Sequence, residues 1–151
     1  MIKRLQQLSD KQILLIISIG IFLLSLSQKT YCHNDNCGGL GSGFFLLILG
    51  WFGLFVGGAG FCWIANPLLI LSWILIRVKI IASLILSGIS TVIMISFLFF
   101  DKIMVDEAGH YGEITGYGLG YWLWMTSSLV TFVGSLLILL KTKKPVANMR
   151  S

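Results

Sequence analysis

Cys32 and Cys37 are the first residues in this chain with chemistry to offer. They flank a polar, turn-forming loop, His33-Asn34-Asp35-Asn36, and on the oxidising side of a membrane such a pair favours a disulfide. The bond would either staple a small loop or serve as the redox centre of a membrane thiol-disulfide oxidoreductase that passes electrons to a quinone. Such enzymes relay between two cysteine pairs, typically with a closer C-x-x-C. This chain holds one further cysteine, Cys62, within an apolar run, where a thiol usually behaves as a small hydrophobe. Asp106, Glu107, His110 and Glu113 form a second group. On a short helix they would gather on one side and, with His33, ligate a divalent metal. No ligand-spacing signature accompanies them, and such residues are ordinarily a solvated face. Recruited as a hydrolytic acid and base, they lack a nucleophile. The expectation is therefore no catalytic residue, no cofactor and no metal.

A third set carries hydroxyls. Ser83, Ser87 and Thr91 recur every four residues, as do Ser127, Thr131 and Ser135, and that spacing places each set on one helical face. Two small, hydroxyl-bearing stripes on helices adjacent in sequence point to faces that meet, with interhelical hydrogen bonds of about 0.6 kcal/mol each. The competing reading is a polar permeation path through a small oligomeric channel or exporter.

The elements that must carry these residues follow from composition. The chain has 151 residues, of which 56% are hydrophobic and 11% charged, against roughly 25% charged in a soluble domain. It reads as an integral membrane protein. Its net charge of +5 would suit nucleic acid only if clustered on a soluble face. Instead the basic residues sit at the ends of apolar runs: Lys3, Arg4 and Lys11 before the first, Arg77 and Lys79 after the second, Lys141, Lys143, Lys144 and Arg150 after the last. This is the positive-inside pattern. It predicts spans over about 12–27, 61–76, 80–100 and 121–140, with both termini cytoplasmic. The first run, with its basic start and Ser25-Leu26-Ser27, also resembles a signal peptide, although Leu24 and Leu26 extend it past a good cleavage site. No ionisable residue lies inside any span, which argues against proton relays and ion-coupled transport.

Asn36 to Ile76 is uncharged and too long for one crossing, since a ~30 Å hydrocarbon layer takes roughly 20 residues. Gly57-Gly58-Ala59-Gly60 breaks it. Residues 43–56, rich in Phe44, Phe45, Trp51, Phe52 and Phe55, are expected to form an interfacial or re-entrant segment. Gly50, Gly53 and Gly57 share a side there and would let another backbone approach. In the second span Asn66-Pro67 allows two readings: a cap with Pro67 in the first turn, or a helix from Phe61 that Pro67 kinks, making Asn66 a polar contact between helices. The second is preferred slightly.

The loop from Asp101 to Gly120 is acidic, with Lys102 as its one cation, and its second half is rich in glycine. Tyr111, Tyr117, Tyr121, Trp122 and Trp124 introduce the last span as an aromatic belt. Trp63-Ile64-Ala65-Asn66-Pro67 after Gly50-Trp51, together with Gly120-Tyr121-Trp122-Leu123-Trp124-x-x-Ser127, resembles features of small four-span bacterial inner-membrane proteins of uncharacterised function. Some of these look like immunity proteins against membrane-acting toxins. The resemblance implies the inner membrane of a bacterium and carries over no functional residue. The expected fold is an all-α, antiparallel four-helix transmembrane bundle in one domain. The expected role is non-catalytic binding of a membrane or periplasmic protein, as an immunity protein or an accessory subunit. The candidate surface is Trp51, Asp106, Glu107, His110, Tyr111, Glu113 and Tyr117. The bilayer is the other partner, nucleic acid is not, and self-association into a homo-oligomer is compatible with the pattern.

Overall fold

The computed structural model describes residues 9–34, 41–104 and 109–143. The chain is mostly helical, and its helices begin and end for local reasons. Helix α1, Asp10–Leu26, starts at a capping box: Ser9 Oγ accepts from the Gln12 amide, and Gln12 Oε1 accepts from the Ser9 amide at 3.0 Å. The bond from Gln12 Oε1 satisfies the Ser9 amide, which the first turn leaves without a partner. Helices α2, Gly43–Leu49, and α3, Gly53–Val56, are joined by a 3₁₀ turn over Gly50–Phe52. A second 3₁₀ stretch, Gly58–Ile64, runs into α4, Ala65–Leu75. Helix α5, Ile80–Ser96, tightens into 3₁₀ at Phe97–Phe99, and α6 spans Leu119–Lys143.

Three of these stretches, Gly58–Leu75, Ile80–Phe99 and Leu119–Thr142, are long and apolar enough to cross a membrane. Helix α1, with 17 residues, falls short of that length. Pro67 lies in the first turn of α4, where its missing N–H sacrifices no α-helical bond. Asn66 is nevertheless buried and bonded to a neighbouring helix, so each of the two readings of Asn66-Pro67 describes part of the arrangement.

Hydroxyls hold the helices together, but with a different pairing from the expected one. Ser83 Oγ meets Ser135 Oγ at 3.4 Å, Thr91 Oγ1 meets Ser128 Oγ at 2.9 Å, and Ser128 Oγ donates to the Ser87 carbonyl at 3.1 Å. These bonds join α5 to α6. Ser127 and Thr131, expected on the same seam, face α1 instead: Ser18 Oγ donates to the Ser127 carbonyl at 2.9 Å and pairs with Thr131 Oγ1 at 2.7 Å. The cause is helical drift. Four residues at 3.6 per turn overshoot a full turn by about 40°, whereas seven undershoot two turns by only about 20°. Ser128 and Ser135 therefore share the α5 face, while Ser127 and Thr131 look toward α1. Trp73 of α4 closes the seam by donating its indole N–H to Ser18 Oγ at 2.9 Å and to Thr131 Oγ1 at 3.1 Å.

The loops expected to be irregular form a sheet. Strands β1 (Tyr31–His33), β2 (Lys102–Met104) and β3 (Tyr111–Tyr117) lie antiparallel in the order β1-β3-β2. Tyr31 faces Tyr117 and Cys32 faces Gly116, and Lys102, Ile103 and Met104 face Glu113, Gly112 and Tyr111. The segment before β1 is pinned on both sides: the Thr30 amide donates to the Gly41 carbonyl, and the Gly118 and Gly120 amides donate to the Thr30 and Lys29 carbonyls, all at 2.8 Å.

Candidate functional site: a cavity between hairpin and sheet

Residues 43–64 fold back on themselves. Gly57 makes the reversal at φ 84°, ψ −164°, a combination essentially confined to glycine. The two arms then touch through backbone: a Cβ on Gly53 would lie 2.8 Å from the Gly60 Cα. Trp63 lies over Gly50 and donates its indole N–H to the Leu47 carbonyl at 3.1 Å. The expected close approach at the Gly50 and Gly53 side is thus made by the chain's own next segment. With Gly58–Ile64, the segment expected to be interfacial or re-entrant forms a hairpin.

Between this hairpin, the sheet and the adjoining helix ends lies a cavity of about 720 Å³. Leu46, Phe52 and Ala59 of the hairpin wall it on one side, Ile103 and Met104 of β2 on the other, and Tyr121 and Trp124 of α6 at its base. Several of the polar groups around it have partners within the protein. Thr30 Oγ1 donates to the Gly41 carbonyl at 2.6 Å, Tyr121 Oη to the Met94 carbonyl at 2.8 Å, and Trp124 Nε1 to Asn66 Oδ1 at 2.8 Å. Asn66 Nδ2 donates to the Trp63 carbonyl at 3.1 Å, and Cys62 Sγ lies 3.6 Å from Ser96 Oγ. Lys102 is the one charged residue among the described residues of the lining. Tyr31 is buried at the sheet side of the cavity, and that desolvation pushes its phenol up to about 12. Burial, reinforced by the nearby Asp101 carboxylate, also raises Tyr117.

The expected surface residues separate on this frame. Trp51 is 41% exposed and stacks on Phe52 with ring centroids 3.9 Å apart. Tyr111 is 58% exposed on β3, and Glu113 and His110 are exposed beside it. Tyr117 is half-buried. Its ring packs on Phe97 at 5.9 Å and on Tyr121 at 5.0 Å, within the cluster that includes Tyr31 and Cys62. Asp106 and Glu107 lie outside the described residues, as does Cys37. Cys32 sits in β1.

Glu113, expected on a short helix, lies in a strand, in which consecutive side chains point to opposite faces. Among the described residues no three His, Cys, Asp or Glu side chains gather as a metal site. His33 Nδ1 is buried without a partner among them. Trp124 makes a contact between α6 and α4.

Sequence reasoning passed over Ser18, Trp73, Ser128 and the β2 wall. Alternation was available as a signal for β3: Tyr111, Glu113 and Thr115 are exposed, whereas Gly112 is buried and Ile114 and Gly116 are partly so.

These features define a mostly helical protein with three helices able to span a membrane and a small sheet and hairpin capping one end. No protein-family model, curated protein or solved structure matches the chain.

Proposed function

We propose that this is a non-catalytic, multi-pass protein of a bacterial inner membrane, whose outward cap of hairpin and sheet binds a protein partner. Four helices cross, with α1 as a short crossing: 17 residues rise about 25 Å, which a bilayer accommodates by local thinning. Orientation follows from charge. Lys11 Nζ reaches the Arg77 carbonyl at 3.4 Å and Lys141 Nζ pairs with Asp10 at 3.0 Å, so the basic ends of the helices lie together, opposite the cap. By the positive-inside rule that end is cytoplasmic.

The observation that carries the reading is the gathering at one end of an exposed aromatic hairpin, with Trp51 and Phe55, and an exposed strand face, with Tyr111 and Glu113. Aromatic rings on rigid supports are the usual anchors of recognition surfaces. Toxin immunity and an accessory subunit of a membrane complex are the two concrete forms of this role. A Cys32–Cys37 disulfide would fasten the chain leaving β1 within that surface. The hydroxyl stripes support packing rather than conduction, because Ser83, Ser87, Ser127, Thr131 and Ser135 are fully buried and Ser83, Ser127, Thr131 and Ser135 meet neighbouring helices.

Photo-crosslinking amino acids placed at Trp51, Tyr111 and Val78 in living cells test the proposal. Crosslinks to one common protein from Trp51 and Tyr111, with none from the exposed control Val78 at the opposite end, are expected. Crosslinks from Val78 alone, or quinone-dependent cycling of the cysteine pair in purified protein, would overturn it.

A further inference from the structure

We propose that the cavity between the hairpin and the sheet binds one acyl chain of a zwitterionic phospholipid whose headgroup is held at Lys102 and Glu113. The inference rests on the membrane reading above and goes beyond it by naming a ligand.

The cavity's size and walls come first. Packed protein interiors hold few voids larger than a water molecule, whereas about 720 Å³ falls within the ~300–1,000 Å³ of ligand pockets. It is held open by rigid parts: the arms of the hairpin are locked at Gly53 and Gly60, Trp63 is anchored on Leu47, and β2 is fixed in register with β3.

The chemistry of the interior comes next. Thr30, Tyr121, Trp63 and Trp124 already spend their side-chain polar hydrogens on protein acceptors, and Asn66 spends one of its two. A sugar, a nucleotide or another hydrogen-bonding ligand would lose its water there and gain little in exchange. Hydrocarbon loses nothing.

The mouth then selects the kind of amphiphile. On the hairpin side it is rimmed by Phe52 and Phe55, the latter 80% exposed, and on the sheet side by Lys102 and Tyr111. Lys102 is not a lone cation. Glu113 stands opposite it across β2 and β3, and Asp101 precedes it. A headgroup with a phosphate and a primary ammonium matches that pairing: the phosphate lies at Lys102 and the ammonium at Glu113. A purely anionic headgroup meets the Glu113 carboxylate with no cation of its own to offer and is disfavoured.

The test uses the full chain purified in mild detergent, exchanged into lipid-free micelles and offered phosphatidylethanolamine or phosphatidylglycerol, with bound lipid counted by native mass spectrometry. The expected result is one retained phosphatidylethanolamine, favoured over phosphatidylglycerol. Met104→Trp, which fills the cavity from its β2 wall, is expected to weaken retention at least about tenfold. Lys102→Glu is expected to invert the local charge and weaken it about fivefold, the scale of an exposed ion pair, while lowering the melting temperature only slightly through the new carboxylate pair with Glu113. The Lys102→Glu variant keeps the test valid if Met104→Trp misfolds. Equal retention of the two lipids, undiminished retention in both variants, or retention of a quinone instead would overturn the proposal. Carbonate extraction of cell membranes separates the two readings. A protein that stays in the pellet but retains no lipid refutes this inference alone, and one released by carbonate refutes the membrane reading.

Discussion

Gly53→Ala tests whether the hairpin is a locked unit. The added Cβ would lie 2.8 Å from the Gly60 Cα and 3.3 Å from its carbonyl oxygen, and both are backbone atoms that cannot swing aside as a side chain would. The arms must separate by several tenths of an ångström, which costs about 1–3 kcal/mol, the usual range for overpacking. Gly20→Ala in α1 is the matched control. Nothing lies within 4 Å of its added methyl, so the same substitution there gains helix propensity of roughly 0.5–1 kcal/mol.

Cys62 reports the difference. It is a free thiol, 4% exposed, in the second arm of the hairpin, and maleimide reaches it only when that arm lifts. At about 1.4 kcal/mol per factor of ten, Gly53→Ala should speed labelling of Cys62 by roughly five- to hundredfold. Gly20→Ala should leave it unchanged. The labelled peptide is identified by mass spectrometry, which separates Cys62 from Cys32 and Cys37. Equal labelling rates in wild type and Gly53→Ala, with Cys62 still slow, would refute the claim that the two backbones touch.

Three further perturbations bear on other parts of the fold. Asn66→Leu removes the acceptor of the Trp124 indole and should lower stability by about 1–3 kcal/mol, the cost of a stranded buried donor. Adding Trp124→Phe should recover part of it, and strictly additive melting shifts would refute the pairing. Ser128→Ala gives up its bonds to Thr91 and the Ser87 carbonyl at about 0.6 kcal/mol each. Ser128→Leu instead overpacks a fully buried site and should cost more, by thermal unfolding in detergent. Tyr31 sets a pH dependence: with its phenol pushed up to about 12 from 10.0, the folded protein keeps a proton that the unfolded chain releases. Its stability should therefore be intact below pH 10 and fall as pH rises from 10 to about 12, by up to about 3 kcal/mol. Tyr31→Phe should flatten that segment of the stability profile.

The helices were legible because their cause is local. Apolar length, the basic punctuation at Arg77 and Lys79, and the glycine break at 57–60 each act through the nearest few residues, and the observed helices end close to those signals. Polar stripes were legible as stripes for the same reason. Their partners were not: Ser127 looks to α1 and Ser128 to α5 because of a rotation of a few tens of degrees, which the spacing constrains only when the neighbouring helices are in place.

The cap depended still more on contacts far apart in sequence. Tyr31 to His33 is too short to announce a strand, and the glycines of 109–120 read as turns when taken alone. They become a sheet because Cys32 finds Gly116 and Lys102 finds Glu113 across long loops. Likewise the glycines at 50, 53 and 57 signalled a close approach, but the identity of the approaching backbone, at Gly60, follows from the reversal at Gly57. The cavity has no sequence signature, since its walls come from the hairpin, β2 and the start of α6. Composition and charge order therefore decided the class of protein and the run of its helices. Tertiary pairing decided the site, because a cavity is a property of surfaces that meet.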